Sequence, residues 1–197
     1  MDKQFFDGEI KRRLSPRRYQ HSLGVAKAAV RLAERYGADP EQAELAGILH
    51  DITKETDPAD QLQMIRDFGI MLDTVEQSSY KLLHAISGCC LVQTAYGIRD
   101  AEVLQAIRFH TTGRAGMTLL EKVVYIADFI SDERDYDGVE QMRRKAGESL
   151  EAALHEGLSY TIRDLAGRGL PIHLNTVEAF NETVYQKTNR LQHLTPR

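Results

Sequence analysis

The stretch ELAGILHDITKE, residues 44–55, places an adjacent histidine and aspartate at the end of an apolar helical run. Its apolar residues recur at helical spacing and predict one buried helix face: Leu45, Ile48, Leu49 and Ile52. His50 and Asp51 fall on the other side with Ala43 and Gly47, where small side chains let another helix or a ligand approach closely. The pair therefore either caps a helix end or holds something charged.

Length and composition predict one globular domain. The chain has 197 residues, of which 42% are hydrophobic and 27% charged, and its net charge is -4. A mild negative charge argues against salt-driven nucleic-acid binding, whereas a polyanionic small ligand needs only a local group of basic residues. We expect a core over about residues 14–181 and a flexible tail over about 186–197.

The two cysteines predict a reducing environment. Cys89 and Cys90 are adjacent, so they cannot close an ordinary disulfide loop, and they lack the paired spacing of a thiolate zinc site. We therefore expect buried thiols in the cytoplasm. The N-terminal stretch MDKQFFDGEIKRR lacks a signal-peptide core and no run approaches membrane-spanning length, so we expect no membrane partner.

Helix signals recur along the whole chain and predict an all-α fold. Three dipeptides read as an N-cap followed by proline: Ser15-Pro16, Asp39-Pro40 and Asp57-Pro58. Capping-box spacing appears at 118–121 and 175–178, and glycines stand where helices should stop at 37, 69, 97 and 113. The predicted helices span 2–13, 16–36, 40–53, 58–68, 73–96, 100–111, 118–131, 138–146, 149–167 and 176–189. The helix over 16–36 is apolar around most of its circumference, so His21 is expected to point inward.

Histidines and one aspartate supply the groups that suggest chemistry. Four histidines lie in or at the ends of predicted helices: His21, His50, His84 and His110. Asp128 interrupts the apolar run KVVYIADFI, residues 122–130. Helices from distant parts of a chain can project such side chains onto one point. Neutral imidazoles and carboxylates suit iron, manganese, zinc or cobalt and leave positions open for water or substrate.

Each of these residues also has a structural interpretation when taken alone. His21 can be a hydrogen-bonded core residue, and His50 with Asp51 can end a helix where a cation is favourable. Asp128 can lie on a solvated helix face. Ligands scattered over about a hundred residues match no short spacing pattern, so spacing alone leaves these alternatives open.

Basic and hydroxyl residues near the histidines predict phosphate contacts. Lys54 lies one helical turn after Asp51 and can face the same cavity, although it can equally be an exposed lysine at a helix end. Thr111, Gly113 and Arg114 follow His110 and offer a hydroxyl, backbone N–H groups and a guanidinium, although the glycine also serves as a helix stop. His155 and His193 are expected to be surface or hydrogen-bonded residues.

Taken together, these motifs resemble the HD-domain superfamily of metal-dependent phosphohydrolases, and the YqeK family within it. The resemblance runs from about residue 14 to 181 and is carried by RRYQHSLGVAKAAVRLAERYG (17–37), AELAGILHDITK (43–54), LLHAISG (82–88), AIRFHTTGRAGMTLLEKVVYIADFI (106–130) and PIHLNT (171–176). It implies a compact multi-helix bundle with a metal site in its core. It also implies symmetrical hydrolysis of diadenosine tetraphosphate to two ADP through a metal-bound hydroxide.

The resemblance assigns roles to individual residues. It places four metal ligands on His21, His50, Asp51 and Asp128. It places the histidines of a second metal, or of phosphate binding, on His84 and His110. The implied catalytic groups are Asp51, His84, His110 and Lys54. The implied substrate contacts are these metal-site residues together with Arg18, Lys54, Thr111, Arg114, Arg134, Pro171, His173, Asn175 and Thr176.

The resemblance also implies a cofactor and a ligand. The cofactor is one or two divalent transition-metal ions, iron first, with manganese, cobalt or zinc as alternatives. The ligand is a dinucleoside polyphosphate or an ADP- or GDP-type nucleotide, and the resemblance suggests a homodimer.

Three departures from the family pattern keep other functions open. Ser22 stands where threonine is expected, Ile86 where proline is expected, and Ser131-Asp132 where Glu-Pro is expected. These residues neighbour the implied ligands, so they bear on the substrate pocket more than on the metal site. The alternatives are an HD-type nucleotidase or phosphodiesterase acting on other nucleotides, and a nucleotide-binding sensor without turnover.

Overall fold

The computed structural model describes residues 3–192, and this part of the chain is helical with no β-strand. Its helices, in chain order, are α1 (Lys3–Arg13), α2 (Pro16–Tyr36), α3 (Pro40–Leu49), α4 (Pro58–Asp67), α5 (Thr74–Ser78), α6 (Tyr80–Thr94), α7 (Ala101–Phe109), α8 (Leu119–Ile130), α9 (Val139–Glu148), α10 (Leu150–Gly167) and α11 (Leu174–Gln192). The predicted all-α fold is confirmed.

Local capping explains why most helices begin where the sequence predicts. The side chains of Ser15, Asp39 and Asp57 each accept a backbone N–H of the following turn, and proline occupies the first turn in all three helices. Thr118 and Glu121 form the predicted capping box at the start of α8. The four glycines predicted as helix stops have positive φ angles, a conformation that only glycine adopts without strain.

Three predicted boundaries are wrong. The helix predicted over 40–53 ends at Leu49, because tighter three-residue turns follow, such as the Ile52 N–H bond to the Leu49 carbonyl. The helix predicted over 73–96 is broken at Ser79, whose backbone is extended. The capping box predicted at 175–178 is absent, because α11 already begins at Leu174.

The predicted terminal boundaries lie partly outside the described residues. The tail predicted from about 186 is helical as far as Gln192 in α11. Residues 1–2 and 193–197, and with them His193, are outside the described part of the chain.

Helix α2 occupies the centre of the fold and packs against α3 and α8. Its buried face includes His21 and Val25, as the helical pattern predicts. The contact with α3 is unusually close, because a Cβ atom added at Gly47 would lie 2.7 Å from the Cα atom of Ala26. The small residue beside the His-Asp pair therefore admits a helix, and this approach holds His21 near His50.

The structure confirms the predicted burial of the two cysteines. Cys89 and Cys90 are both free and buried on α6. Burial raises the pKa of Cys90 to about 12, which keeps its thiol protonated and unreactive. Across residues 3–192, none of the helices combines the length and the apolar character that crossing a bilayer requires.

The close helix contact predicts the effect of one methyl group. Gly47→Ala should lower the free energy of unfolding by about 1–3 kcal/mol, because the methyl group meets backbone atoms that cannot move aside. The matched control is Gly8→Ala on α1, where a Cβ meets nothing within 4 Å. That control should raise stability by up to about 1 kcal/mol through helix propensity. Urea unfolding measures both, and equal stability of the two variants would contradict the assigned packing.

Candidate metal centre and adjoining cavities

Five separate elements bring the predicted ligands to one buried point. His21 comes from α2, the pair His50 and Asp51 from the turn after α3, and the others from α6, α7 and α8: His84, His110 and Asp128. The four histidines and Asp51 are buried, and Asp128 keeps 23% of its side chain exposed. Residues separated by 107 positions in sequence thus meet because α2, α3, α7 and α8 pack together.

The Asp51 carboxylate lies between two pairs of histidines. Its Oδ2 atom is 3.4 Å from His50 Nε2 and 3.7 Å from His21 Nε2. Its Oδ1 atom is 3.1 Å from His84 Nε2 and 3.6 Å from His110 Nε2. One carboxylate therefore offers a separate oxygen to each pair.

These separations match those of ligands around an ion. Two donor atoms that each lie about 2.1 Å from one metal are separated by roughly 3 to 3.5 Å. Three overlapping groups of donor atoms each lie within 4.8 Å of one another: His21 with His50 and Asp51, His50 with His110 and Asp128, and Asp51 with His84 and His110. Asp128 Oδ1 is also 3.0 Å from His21 Nε2. The cluster can hold a divalent metal.

Backbone carbonyls orient two of the histidine rings. His50 Nδ1 donates to the Gly47 carbonyl at 2.7 Å, and His110 Nδ1 donates to the Ile107 carbonyl at 2.8 Å. Each bond holds its ring so that Nε2 faces Asp51. Histidines that bind metals are commonly held in this way.

Several donor atoms of the cluster have no other partner. Within residues 3–192, no hydrogen bond reaches Nε2 of His21, Nε2 of His50 or Oδ1 of Asp51, although all three atoms are buried. A buried polar atom without a partner costs free energy, and an ion at this point would satisfy all three. This observation favours metal binding over the structural interpretations of the single residues.

The charges of the cluster suit a cation. Burial raises the pKa of Asp51, but His50, His110 and His84 outweigh it and hold this pKa well below its usual range. The pKa of Asp128 is likewise held well below its usual range, because its contacts with His21 and Arg134 outweigh burial. Burial lowers the pKa of His84 to about 4, so its ring is neutral at physiological pH. Ionised carboxylates and neutral imidazoles are the states that bind metals.

Three cations border the cluster. Arg18 donates to Asp51 Oδ2 at 2.8 Å, and Lys54 Nζ lies 3.6 Å from Asp51 Oδ1. Lys54 is 31% exposed, so it joins the buried carboxylate to the open surface. Arg134 contacts the carboxylate of Asp128 and donates from Nε to its carbonyl at 2.8 Å.

Most of the predicted substrate contacts outside the metal cluster line one of two cavities. A cavity of about 350 Å³, which we term the threonine cavity, is lined by Thr111, Thr112, Thr161, Pro171, His173 and Thr176 among others. Arg18 and Arg134 line a separate cavity of about 270 Å³ with Arg17 and His21, which we term the arginine cavity. These predicted contacts thus divide between two cavities, of which the arginine cavity includes His21 of the metal cluster.

Besides Lys54, two predicted contacts outside the metal cluster line neither of these cavities in the described part of the chain: Arg114 and Asn175. The Arg114 guanidinium is bound to Glu121 by hydrogen bonds of 2.6 and 2.8 Å. Glu121 is buried and also completes the capping box of α8, so this pair anchors a helix start. The Asn175 backbone N–H donates to His173 Nδ1 at 3.1 Å, within the first turn of α11.

His173 links the threonine cavity to helix α5. Its Nε2 atom is 3.0 Å from Asp73 Oδ2 and 3.7 Å from Glu76 Oε1. These three side chains also have metal-like spacing. However, Asp73 and Glu76 already form the capping box of α5, and Arg108 donates to Glu76 at 2.6 Å. The cluster is therefore better explained as an anchor for the cavity wall.

Glu133 is a site residue that sequence reasoning missed. Its Oε1 atom contacts His21 Nδ1 and accepts a hydrogen bond of 2.6 Å from Ser131 Oγ. Its Oε2 atom rests against Gly24, where an added Cβ would overlap it. A carboxylate on the outer nitrogen of a ligand histidine orients the ring and raises its basicity. The only signal in the sequence was the departure from the family pattern at Ser131-Asp132.

Comparison with known proteins agrees with this geometry. A family model described as HD domain matches residues 18–131. The chain is 40% identical to a symmetrical bis(5'-nucleosyl)-tetraphosphatase of Halalkalibacterium halodurans, over 90% of this chain and 95% of that one. It is 38% identical to a protein of the same name from Bacillus subtilis, over 87% and 92%.

A solved structure shows the same fold. The crystal structure of a predicted HD superfamily hydrolase involved in NAD metabolism, from Clostridium acetobutylicum, superposes with a TM-score of 0.91 and 38% identity. The match covers 94% of this chain and 98% of that one. The helical fold of this chain therefore occurs in a protein of nearly the same length.

The contact between Glu133 and His21 predicts a change in metal affinity. Glu133→Gln should weaken metal binding by about 10–100-fold, because His21 loses the carboxylate that orients it. Gly24→Ala should have the same effect without removing any polar group, because its methyl group displaces the Glu133 side chain. Competition with a chromophoric chelator measures both affinities.

The control for these variants is Gly147→Ala on α9, where a Cβ meets nothing within 4 Å. It should leave the affinity for metal unchanged. Wild-type affinity in both Glu133→Gln and Gly24→Ala would show that Glu133 does not position His21.

Proposed function

The chain belongs to the HD domain family, and on this premise we propose that it is a symmetrical bis(5'-nucleosyl)-tetraphosphatase that hydrolyses diadenosine tetraphosphate to two ADP. Relatives with this name match nearly the whole chain. The observation that carries the mechanism is the position of Asp51, with one oxygen toward each of two histidine pairs.

We assign two metal positions that share Asp51. The first is formed by His21, His50, Asp51 and Asp128. The second is formed by Asp51, His84 and His110. Iron is the ion that we propose first, since imidazole and carboxylate donors suit it, and manganese, cobalt and zinc accept the same donors. The orphaned donor atoms support occupancy of the first position, and the unpartnered Oδ1 of Asp51 supports the second.

The reaction requires a nucleophile and neutralisation of the negative charge on the phosphate oxygens of the substrate. Divalent metal ions, when bound, supply a water of lowered pKa and positive charge for the phosphate oxygens. The oxygen of water forms a bond to one central phosphorus, and the bond from that phosphorus to the bridging oxygen breaks. One ADP keeps the oxygen of water and the other keeps the bridging oxygen, and the protons of water pass to the products and to solvent.

The chain's own residues hold the reacting groups in place. Asp51 and Asp128 stay ionised because their pKa values are held low, and His84 stays neutral because burial lowers its pKa to about 4. Lys54 Nζ lies 3.0 Å from His84 Nε2 on the exposed side of the cluster, where it can contact a phosphate oxygen. Fixed positive charge beside the phosphates stabilises the charge that develops in the transition state.

The threonine cavity is our candidate for one nucleoside. Thr111 directly follows His110, so the cavity begins one residue from the second metal position. Its hydroxyl groups and the Pro171 wall offer polar and apolar contacts to a ribose and a base. The free buried thiols suit a reducing compartment, and we place the reaction in the cytoplasm.

A second candidate is hydrolysis of a different nucleotide. The Clostridium acetobutylicum hydrolase is described as involved in NAD metabolism, and it shares 38% identity with this chain. The same metal centre would act on another phosphate-containing nucleotide if the cavities selected it. Comparison of kcat/KM for diadenosine tetraphosphate with the values for nucleoside mono-, di- and triphosphates separates the two candidates.

Product analysis tests the proposed reaction. The metal-loaded protein should convert diadenosine tetraphosphate into ADP alone, as measured by ion-exchange chromatography. His50→Ala should abolish hydrolysis and metal binding together, because His50 supplies Nε2 beside Asp51. His155→Gln, outside the cluster on α10, is the control and should keep both. Release of ATP and AMP, or no turnover with a filled metal site, would contradict the proposal.

A further inference from the structure

A third cavity adjoins the metal cluster on its Asp128 side. It measures about 300 Å³ and is lined by Asp128, Phe129, Arg134, Tyr136 and Tyr160, and we term it the tyrosine cavity. Three of its lining residues are aromatic. The Tyr136 and Tyr160 ring centroids are 5.4 Å apart, and those of Phe129 and Tyr160 are 6.2 Å apart. A single group of contacting rings therefore lies next to a proposed metal ligand.

Close helix packing places Tyr160 over this cavity. An added Cβ at Gly157 would lie 3.3 Å from a ring atom of Tyr125 and 3.5 Å from Phe129, so α10 packs tightly on α8 at this point. Tyr160 is one turn further along α10, and it remains 39% exposed. Gly157 thus faces the core between α8 and α10, whereas the Tyr160 ring remains partly accessible to a ligand.

Guanidinium groups line both the tyrosine cavity and the arginine cavity. Arg134 and Tyr136 line both cavities. The arginine cavity is also lined by Arg17 and Arg18, together with the carboxylates Glu133 and Asp135. Arg18 and Arg134 each contact a carboxylate of the metal cluster. A chain of phosphates that extends from the cluster toward the tyrosine rings would thus pass guanidinium groups, which suit phosphate geometry.

The proposed substrate requires a place for two nucleosides. Cleavage between the central phosphates puts the middle of the molecule at the metals, so an ADP arm extends away on each side. In the proposed function, the threonine cavity, which begins at the residue after His110, would hold one arm. The tyrosine cavity adjoins Asp128, which belongs to the other metal position.

We infer that the tyrosine cavity is the second nucleoside subsite, in which Tyr136 and Tyr160 stack on a purine base while Arg17, Arg18 and Arg134 bind its phosphates. This inference rests on the proposed function. Base stacking on aromatic rings is sequence-tolerant and suits adenine. The combination of rings and guanidinium groups identifies a purine nucleotide arm as the ligand.

A comparison of two substrates tests the subsite. Tyr160→Leu should lower kcat/KM for diadenosine tetraphosphate by about tenfold, since a stacking contact with the base is lost. Adenosine 5'-tetraphosphate has only one adenosine, which the threonine cavity can hold. Its kcat/KM should change by less than about twofold, because no interaction in the transition state is lost for that orientation. Tyr160→Phe keeps the ring and should restore the wild-type value for both substrates.

The control is Tyr185→Leu on α11, an exposed tyrosine outside both cavities. This variant should have the wild-type kcat/KM for both substrates. The inference is overturned if Tyr160→Leu affects neither substrate, or affects both equally. If the wild-type protein does not hydrolyse diadenosine tetraphosphate at all, the proposed function is wrong. The subsite is then tested by ADP binding, which requires no turnover.

A fluorescence measurement tests the subsite independently of hydrolysis. The chain contains no tryptophan, so Tyr160→Trp introduces a single indole into the tyrosine cavity. ADP alone should quench its emission in a saturable manner, because adenine stacks on the indole. Tyr185→Trp is the matched control and should show no saturable change. Absence of quenching in Tyr160→Trp, at ADP concentrations that saturate the protein by calorimetry, would overturn the inference.

Discussion

The site depends on one buried carboxylate that faces two pairs of histidines. Asp51 is 2% exposed, and its two oxygens lie 3.1 to 3.7 Å from four different imidazole nitrogens. A buried charge of this kind is costly unless it is paired or bound to a metal. The surrounding imidazoles, Arg18 and Lys54 reduce this cost, and a pair of divalent ions would offset it further. Most other features of the site follow from the need to hold this carboxylate in place.

Glycine residues provide that positioning by letting helices and side chains approach closely. Gly47 brings α3 against α2, which places His50 next to His21. Gly24 makes room for Glu133 behind His21. Gly157 brings α10 against α8 and carries Tyr160 to the cavity beside Asp128. Close approach at a glycine therefore shapes the proposed first metal position, the carboxylate that supports it and the proposed second subsite.

The sequence predicted those parts of the molecule that depend on local patterns. The structure confirms the helix caps at Ser15, Asp39 and Asp57 and the buried apolar face of α2, which depend on neighbouring residues alone. The convergence of His21, His50 and Asp128 required a resemblance to a known family, because spacing carries no information about contacts between distant helices. Glu133 was missed for the same reason: its partner His21 lies 112 positions away. The break at Ser79 and the early end of α3 arise from backbone turns that a periodic apolar pattern does not reveal.

The central claim of the proposed function is that this cluster would hold two metal ions, one at His21, His50, Asp51 and Asp128 and the other at Asp51, His84 and His110. It is tested most directly by anomalous scattering from crystals of the protein loaded with manganese or iron. The account predicts two anomalous peaks per chain, one near His21, His50 and Asp128 and the other near His84 and His110, with Asp51 contacting both. A single peak that does not share Asp51, or no peak at this cluster, would contradict it.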